Sequence, residues 1–203
     1  MIEQIDNLLT KEECNQIIDY GKSLDMDTYD VGRYYFSNIM KRGQYMEPAF
    51  SHPILQPAYH ALVKLKESYI KSFPEVNNLD PWTLDYVRFK WWKPEDHYDR
   101  WHSEHDFREP YRTLSFLLYL SDNNCSTHFR RHESVATRAG RGIMFPAYFT
   151  HEHRGEQCKD GLDRYMLSGY YSFFEIIKKN INVSRVVKQL KKNPQDWDHQ
   201  KKS

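Results

Sequence analysis

Residues 97–107, HYDRWHSEHDF, hold three histidines, two aspartates and a glutamate around one tryptophan. Imidazole and carboxylate are the donors that suit a divalent first-row metal. Along an extended chain, residues i and i+2 face the same way, so two donors separated by one residue can share an ion. Two pairs have that spacing: His97 with Asp99, and His102 with Glu104. A third donor must come from elsewhere, and FTHEHRG supplies His151 and His153, again two apart. Two imidazoles and one carboxylate make the facial triad of non-haem Fe(II) oxygenases, which leaves one face of the octahedron open for chemistry. Spacing alone leaves both pairs and both downstream histidines in play, because ten histidines in 203 residues produce such pairs by chance.

The elements around these groups change character along the chain. Thr10 followed by Glu13 reads as a capping box. Cys14, Ile17, Ile18, Gly21 and Leu24 then recur at helical spacing, which predicts a helix over 11–24. A second helix is predicted over 55–73, with Ala58, Leu62, Leu65 and Tyr69 as its apolar stripe, Pro57 in its first turn and Pro74 ending it. From Trp82 the period becomes two. WTLDYVRFKWW places Val87, Phe89 and Trp91 on one face and Leu84 and Tyr86 on the other. RTLSFLLYL (112–120), ESVATRA (133–139), IMFPA and DRYMLSGYYSFFEI read as further short strands separated by turns. The fold class expected is mainly β with flanking helices: a sandwich or barrel, with the two leading helices packed on one outer face. The chain divides into a domain over 1–177 and a lysine-rich tail over 178–203, with a short helix predicted near 184–191.

Composition limits the function classes. A net charge of +1 gives no signal for nucleic acid or membrane as a partner. Cys14, Cys125 and Cys158 are an odd, scattered set, so neither a disulfide framework nor a zinc site is expected. That usage suits a reducing compartment. The start, MIEQIDNLLTKEEC, lacks the basic and apolar regions of a signal peptide, and no apolar run reaches spanning length. The expectation is a soluble, cytoplasmic protein.

The order of the segments adds what spacing cannot. His-x-Glu is followed by RTLSFLLYLSD, then STHF, AGRGIMFPAYFTHEHRG and DRYMLSGYYSF. This series resembles the iron- and 2-oxoglutarate-dependent dioxygenases of the prolyl 4-hydroxylase-like type, in particular a viral and bacterial branch with a Trp-His-x-Glu motif. IDNLLTKEECNQIIDYGKSL is similar to the first helix of that group, so the likeness runs from about Ile2 to Phe174. PEDHYDRWHSE lines up with the family's Pro-Gly-x-x-Tyr-x-x-Trp-His-x-Glu run through Pro94, Tyr98, Trp101, His102 and Glu104. The resemblance therefore implies His102, Glu104 and His153 as the iron ligands, with His97, Asp99, His105, Asp106 and His151 flanking them.

The same likeness implies a double-stranded β-helix, or jelly-roll, core and assigns the cosubstrate. Arg164 stands eleven residues after His153, where the family has its Arg or Lys for the far carboxylate of 2-oxoglutarate. Ser168 stands where a Thr is usual, and Tyr119 in YLS matches the family's YLN tyrosine. The implied cofactors are Fe(II), 2-oxoglutarate and O2, with ascorbate as activator. The implied reaction converts 2-oxoglutarate to succinate while a substrate C–H bond is hydroxylated. Peptidyl proline is the favoured substrate; a small metabolite or nucleobase is the alternative within the fold. Glu104 argues against halogenation, whose enzymes lose the carboxylate. A jelly-roll binding or structural module with a vestigial metal site is the alternative of a different class.

Three departures from the family pattern stand out. Gly-Gly-x-Thr-x-Phe reads NCSTHF, keeping only Thr127 and Phe129. The usual aspartate is Glu104, one methylene longer. The tyrosine before the Pro-Gly bend is Trp92 or Lys93. The segment YDVGRYYFSNIMKRGQYM (29–46) lies where relatives place a loop over the site, and its aromatics are expected to serve the core.

Overall fold

Thr10 begins the first helix as its sequence suggests. Its hydroxyl accepts from the Glu13 N–H at 3.2 Å, and the Glu13 carboxylate accepts from the Thr10 N–H at 2.8 Å. The resulting helix α1 (Lys11–Ser23) buries Cys14, Ile17 and Gly21. A four-residue helix α2 (Met46–Ala49) and a 3-10 turn (Pro53–Leu55) lead into α3 (Gln56–Ser72), which buries Ala58, Ala61, Leu62, Leu65 and Tyr69. The structure is a computed structural model that describes residues 1–31, 33–42, 44, 46–78 and 82–173. The predicted tail, its short helix, and the end of the last strand beyond Phe173 lie outside those residues.

The described strands are β1 (Glu3–Ile5), β2 (Asp27–Tyr29), β3 (Tyr34–Met40), β4 (Trp82–Trp92), β5 (Arg112–Tyr119), β6 (Ser126–Phe129), β7 (Val135–Ala136), β8 (Gly142–Pro146), β9 (His153–Gly155) and β10 (Arg164–Phe173). Seven form one sheet in the order β1-β8-β5-β10-β4-β3-β2, and three form a second in the order β7-β6-β9. Every pairing is antiparallel. Two sheets face each other and the leading helices cover the outer face of the large one, as expected for a jelly roll flanked by helices.

Two apolar layers hold this arrangement. Ile17, Leu62 and Leu65 of the helices pack with Val87, Phe89, Phe116, Leu118, Met144 and Leu167 of the large sheet. Leu117, Tyr119, Ile143, Phe145 and Met166 from the other face of that sheet meet Phe129 and Val135 of the small one. The alternation of strand residues between these layers is the reason the strands read with period two. Sheet and helix approach closely at Gly21, where a Cβ would lie 2.6 Å from the Phe89 ring.

Several expectations are corrected. Residues 29–46 are not one continuous loop: Tyr29 ends β2 and residues 34–40 form β3, and both strands add to the edge of the large sheet. Strand β7 is only two residues of the predicted 133–139. The alternation in β4 is broken, because Tyr170 pairs with Tyr86 and Tyr171 with Leu84, leaving Asp85 as a bulge. Leu84 therefore joins Val87 and Phe89 on the core face instead of opposing them. Asp85 is anchored by Arg42 through a two-pronged contact at 2.8–3.1 Å and by Ser172 at 3.0 Å. Cys125 and Cys158 are joined as a disulfide across 33 residues, against the expectation of unpaired thiols. The fold brings the start of β6 beside the loop before β10, a proximity no local spacing announces. Among the described residues no helix is long and apolar enough to cross a membrane.

Candidate metal centre and cosubstrate pocket

The loop after β4 meets β9 at a two-way bridge. The His102 N–H donates to the His153 carbonyl at 3.1 Å, and the His153 N–H donates to the His102 carbonyl at 2.9 Å. The two imidazole centroids are 4.3 Å apart. Glu104 is set by its own N–H, which donates to the Ala147 carbonyl just after β8 at 3.0 Å. Its Oε1 lies 3.5 Å from His102 Nε2 and 3.7 Å from His153 Nε2. Ligand atoms of all three residues lie within 4.8 Å of one another.

The ring nitrogens are oriented for coordination. His102 Nδ1 faces the Arg100 carbonyl at 2.9 Å, and His153 Nδ1 faces the His151 carbonyl at 3.1 Å. A carbonyl can only accept, so each Nδ1 carries a proton and each ring turns its Nε2 toward the shared space, where a metal ion would take its lone pair. Burial drives the His153 pKa down to about 3, and a charge on His102 would push it the same way. Burial alone would raise the Glu104 pKa, but its hydrogen bond to His102 and the nearby His102, His153 and Lys90 outweigh that and hold it well below the carboxylate range. Two imidazoles and one carboxylate are the donor set that a divalent iron-type ion takes. The residues present therefore fit such an ion.

Arg112 completes the setting of Glu104. Its Nη1 is 3.5 Å from Glu104 Oε2, its Nη2 is 3.3 Å from Glu109, and its guanidinium lies 3.6 Å from the Tyr170 ring centroid. This leaves Oε1 for the histidines.

The remaining candidates of the histidine-rich stretch stand apart. His97 Nδ1 contacts the Glu95 carbonyl at 3.2 Å, and Asp99 is exposed. His105 Nδ1 contacts the Arg112 carbonyl at 3.1 Å and its ring packs on Tyr148. Asp106 accepts the backbone N–H groups of Arg108 and Glu109, so it shapes the turn. His151 is buried against His132 with centroids 4.3 Å apart, and its Nδ1 contacts the Thr150 hydroxyl at 2.9 Å. Tyr98 lies against the His102 ring and its carbonyl accepts from the Gly155 N–H at 2.7 Å. Trp101 sits between the guanidiniums of Arg130 and Arg154, at 4.6 and 4.9 Å from its ring.

The three converging side chains line a cavity of about 420 Å3 that also contains Arg164. Arg164 opens β10 and is only 3% exposed. Its Nη1 donates to the Glu156 carbonyl at 3.2 Å and to the Cys125 sulfur at 3.6 Å, and its plane covers Trp92 at 4.4 Å. Its buried Nε has no hydrogen-bond partner, and no carboxylate lies within ion-pairing distance of it among the described residues. Burial lowers its pKa to about 10, so the guanidinium is still charged at neutral pH. A buried, unpaired fork is costly unless an anion completes it. Gly155 keeps the approach open: a Cβ there would lie 3.3 Å from Arg164 Nη2.

Ser168 lies four residues along β10 from Arg164, on the same face, and its buried hydroxyl is also unpartnered. Tyr119 is fully buried and its hydroxyl bonds the Thr127 hydroxyl at 2.7 Å; Thr127, not Tyr119, reaches the cavity wall. Burial raises the Tyr119 pKa to about 12, so it stays protonated. Arg88 and Lys90 also face the cavity, from β4.

No family model matches the chain, and no curated protein matches it. Solved structures do. A viral collagen prolyl hydroxylase from Paramecium bursaria Chlorella virus-1, in complex with 2OG, superposes with a TM-score of 0.62 at 17% identity, covering 85% of this chain and 96% of that one. A prolyl hydroxylase from Trichoplax adhaerens, in complex with a hypoxia inducible factor peptide fragment, gives 0.66 at 13% identity, covering 89% and 86%. A Pseudomonas putida prolyl-4-hydroxylase gives 0.61 at 14% identity, covering 85% and 92%. At these identities the likeness is one of fold: this chain has the jelly-roll fold of prolyl hydroxylases.

Proposed function

We propose that this protein is an Fe(II)- and 2-oxoglutarate-dependent dioxygenase that hydroxylates a C–H bond of its substrate. The observation that carries this reading is the pairing of two features in one cavity: the converging His102, Glu104 and His153, and the buried, uncompensated Arg164. A cupin-like metal site with no cosubstrate would account for the first and leave the cost of the second unexplained.

Each residue then has a defined task. His102 and His153 offer Nε2 to iron, held in the correct tautomer by backbone carbonyls. Glu104 offers Oε1, while Arg112 occupies the neighbourhood of Oε2. Arg164 receives the far carboxylate of 2-oxoglutarate as a fork, Ser168 adds its free hydroxyl, and the Tyr119–Thr127 hydroxyl pair supports the same end of the cavity. Leu117, Met166 and Trp92 supply apolar wall that limits water around the bound cosubstrate. Bound iron supplies the redox chemistry that activates O2; the protein supplies binding, orientation and water exclusion. The overall balance is 2-oxoglutarate, O2 and substrate giving succinate, CO2 and hydroxylated substrate, with one oxygen atom in each of succinate and product.

Peptidyl proline is the substrate class favoured by the fold shared with prolyl hydroxylases. The test is succinate release by the purified, iron-loaded protein with ascorbate present, scored against proline-containing peptides, free amino acids and nucleosides. Slow Fe(II)-dependent succinate formation without substrate, accelerated by one class, supports the proposal. If 2-oxoglutarate does not bind the iron-loaded protein, the site is vestigial and the dioxygenase reading fails.

A further inference from the structure

The cavity carries more positive charge than the proposed cosubstrate uses. Five cationic side chains line it, Arg88, Lys90, Arg108, Arg112 and Arg164, against the three acidic ones Glu104, Asp106 and Glu109. The acids are already engaged. Asp106 pairs with Arg108 at 3.1 Å, and Arg112 pairs with both Glu109 and Glu104. Arg88, Lys90 and Arg164 are left without a carboxylate within ion-pairing distance among the described residues. A metal dication and the 2-oxoglutarate dianion cancel, so loading the site leaves this surplus in place.

The register of the sheet places the surplus on β4, the strand beside the one that carries the cosubstrate anchor. Arg164 pairs across to Trp92. Lys90 is one step further along β4, opposite Met166 of β10 and Phe36 of β3, and Arg88 is one step beyond, opposite Ser168 and Asn38. All three β4 side chains, Arg88, Lys90 and Trp92, therefore point into the cavity from one face of one strand. Among the described residues Lys90 Nζ makes no hydrogen bond; its near neighbour is the Tyr34 ring, 5.1 Å from the centroid. The Arg88 guanidinium is held between the rings of Phe36 and Tyr86 at 4.6 and 4.7 Å, with long contacts of 3.4 Å to Asn38 and Tyr86. Such stacking fixes the direction of the fork without neutralising it. Tyr29 and Tyr34, from the β2–β3 edge, line the same side of the cavity.

We propose that Arg88 and Lys90 form a second anion subsite, beside the 2-oxoglutarate anchor, that holds a carboxylate or phosphate of the substrate to be oxidised. This deepens the dioxygenase reading and rests on it for the word substrate; the subsite itself does not. A substrate so held presents its anionic group to β4 while the bond to be oxidised faces the His102–Glu104–His153 side of the cavity. For a peptide, the group is an acidic or phosphorylated residue flanking the reacting one.

The test uses the full chain loaded with redox-inert Mn(II) and 2-oxoglutarate, titrated calorimetrically with inorganic phosphate and with acetate. Loaded wild-type protein is expected to bind at least one of these anions, and Lys90→Met and Arg88→Met each to weaken that binding by about tenfold, the scale of one lost charge-assisted contact. Affinity for 2-oxoglutarate is expected to stay within about threefold in Lys90→Met and to fall in Arg164→Ala. Manganese stoichiometry of each variant checks that the fold survives. Tighter binding of phosphate than of acetate assigns a phosphorylated substrate, and the reverse a carboxylate. The proposal is overturned if neither anion binds, if binding is unchanged by both β4 variants, or if Lys90→Met costs 2-oxoglutarate as much affinity as Arg164→Ala, which would make Lys90 part of the cosubstrate anchor. Should wild-type protein fail to bind 2-oxoglutarate, the dioxygenase reading falls, and the same anion titrations on the Mn(II) form alone still decide the subsite.

Discussion

His102 and His153 are fifty-one residues apart in sequence, yet each donates its backbone N–H to the other's carbonyl, at 3.1 and 2.9 Å. The bridge fixes the relative position of two side chains through main chain alone, before any ion is bound. Preorganisation of this kind lowers the cost of assembling a metal site. It also separates His153 from His151, whose ring turns into the space beside His132.

The first prediction follows from that geometry. Alanine at His102, Glu104 or His153 should weaken Fe(II) or Mn(II) binding by more than the 10–100-fold, roughly, that changes in outer-shell partners cause. Alanine at His97 or Asp99 should change it little, since neither side chain faces the cavity. Equilibrium dialysis of each variant against the metal measures this. Loss of metal on His97→Ala with retention on His102→Ala would refute the assignment.

Arg164 carries the second prediction. Its Nε and the Ser168 hydroxyl are buried and unpartnered, so a bound carboxylate supplies hydrogen bonds they otherwise lack. Arg164→Ala should raise the KM for 2-oxoglutarate by about tenfold or more, since a charged hydrogen bond contributes about 1.5–3 kcal/mol. Metal affinity should hold. Ser168→Ala should have a smaller effect in the same direction. An unchanged KM in Arg164→Ala would place the anchor elsewhere in the cavity.

Much of this was legible in the sequence, and the exceptions share a cause. Thr10 and Glu13 announce their helix because both partners lie within one turn. His102, Glu104 and Arg164 are legible through the order of motifs around them. Leu84 was assigned to the wrong face because the Asp85 bulge is set by β10 and Arg42, not by β4. Cys125 and Cys158 looked unrelated because the loop closing between them is 33 residues long. Arg88 and Lys90 alternate with Val87 and Phe89, so they fall on the opposite face of their strand; whether that face meets water or a cavity depends on the second sheet. In each case the deciding contact is long-range, and local pattern carries no information about it.

The disulfide gives the third prediction. Closing a loop of 33 residues removes chain entropy from the unfolded state worth about 3–4 kcal/mol in the loop-closure treatment. Reduction, or Cys158→Ser, should therefore lower Tm by several degrees. Because Arg164 donates to the Cys125 sulfur at 3.6 Å, the same change should also perturb 2-oxoglutarate affinity. Thermal melts and cosubstrate titrations with and without reductant measure both effects. Free reactivity of all three cysteines toward a thiol reagent in the folded, unreduced protein would refute the pairing.

Lys90 gives the last prediction, and it concerns stability without any ligand. Burial lowers its pKa from 10.5 to about 8; the nearby Glu104 opposes this shift, and Arg88, Arg112 and Arg164 add to it. Tyr34, which faces it from β3, offers a ring and no charge. Folding therefore disfavours the protonated amine, an effect of up to about 3 kcal/mol at full size. The sign follows from proton uptake. Between pH 8 and 10.5 the unfolded chain binds more protons at this residue than the folded one, so stability contributed here rises with pH across that window. Below pH 8 both states are protonated and the penalty is complete. Lys90→Met should accordingly raise the Tm of the ligand-free protein at pH 7, and the advantage should shrink as the pH rises from 8 toward 10.5. Inorganic phosphate should reduce the advantage at pH 7, because an anion on the ammonium relieves wild-type protein alone. Melts of the two proteins across that pH range decide it: a Lys90→Met variant that is less stable than wild type at pH 7 would mean that the ammonium is already compensated within the fold.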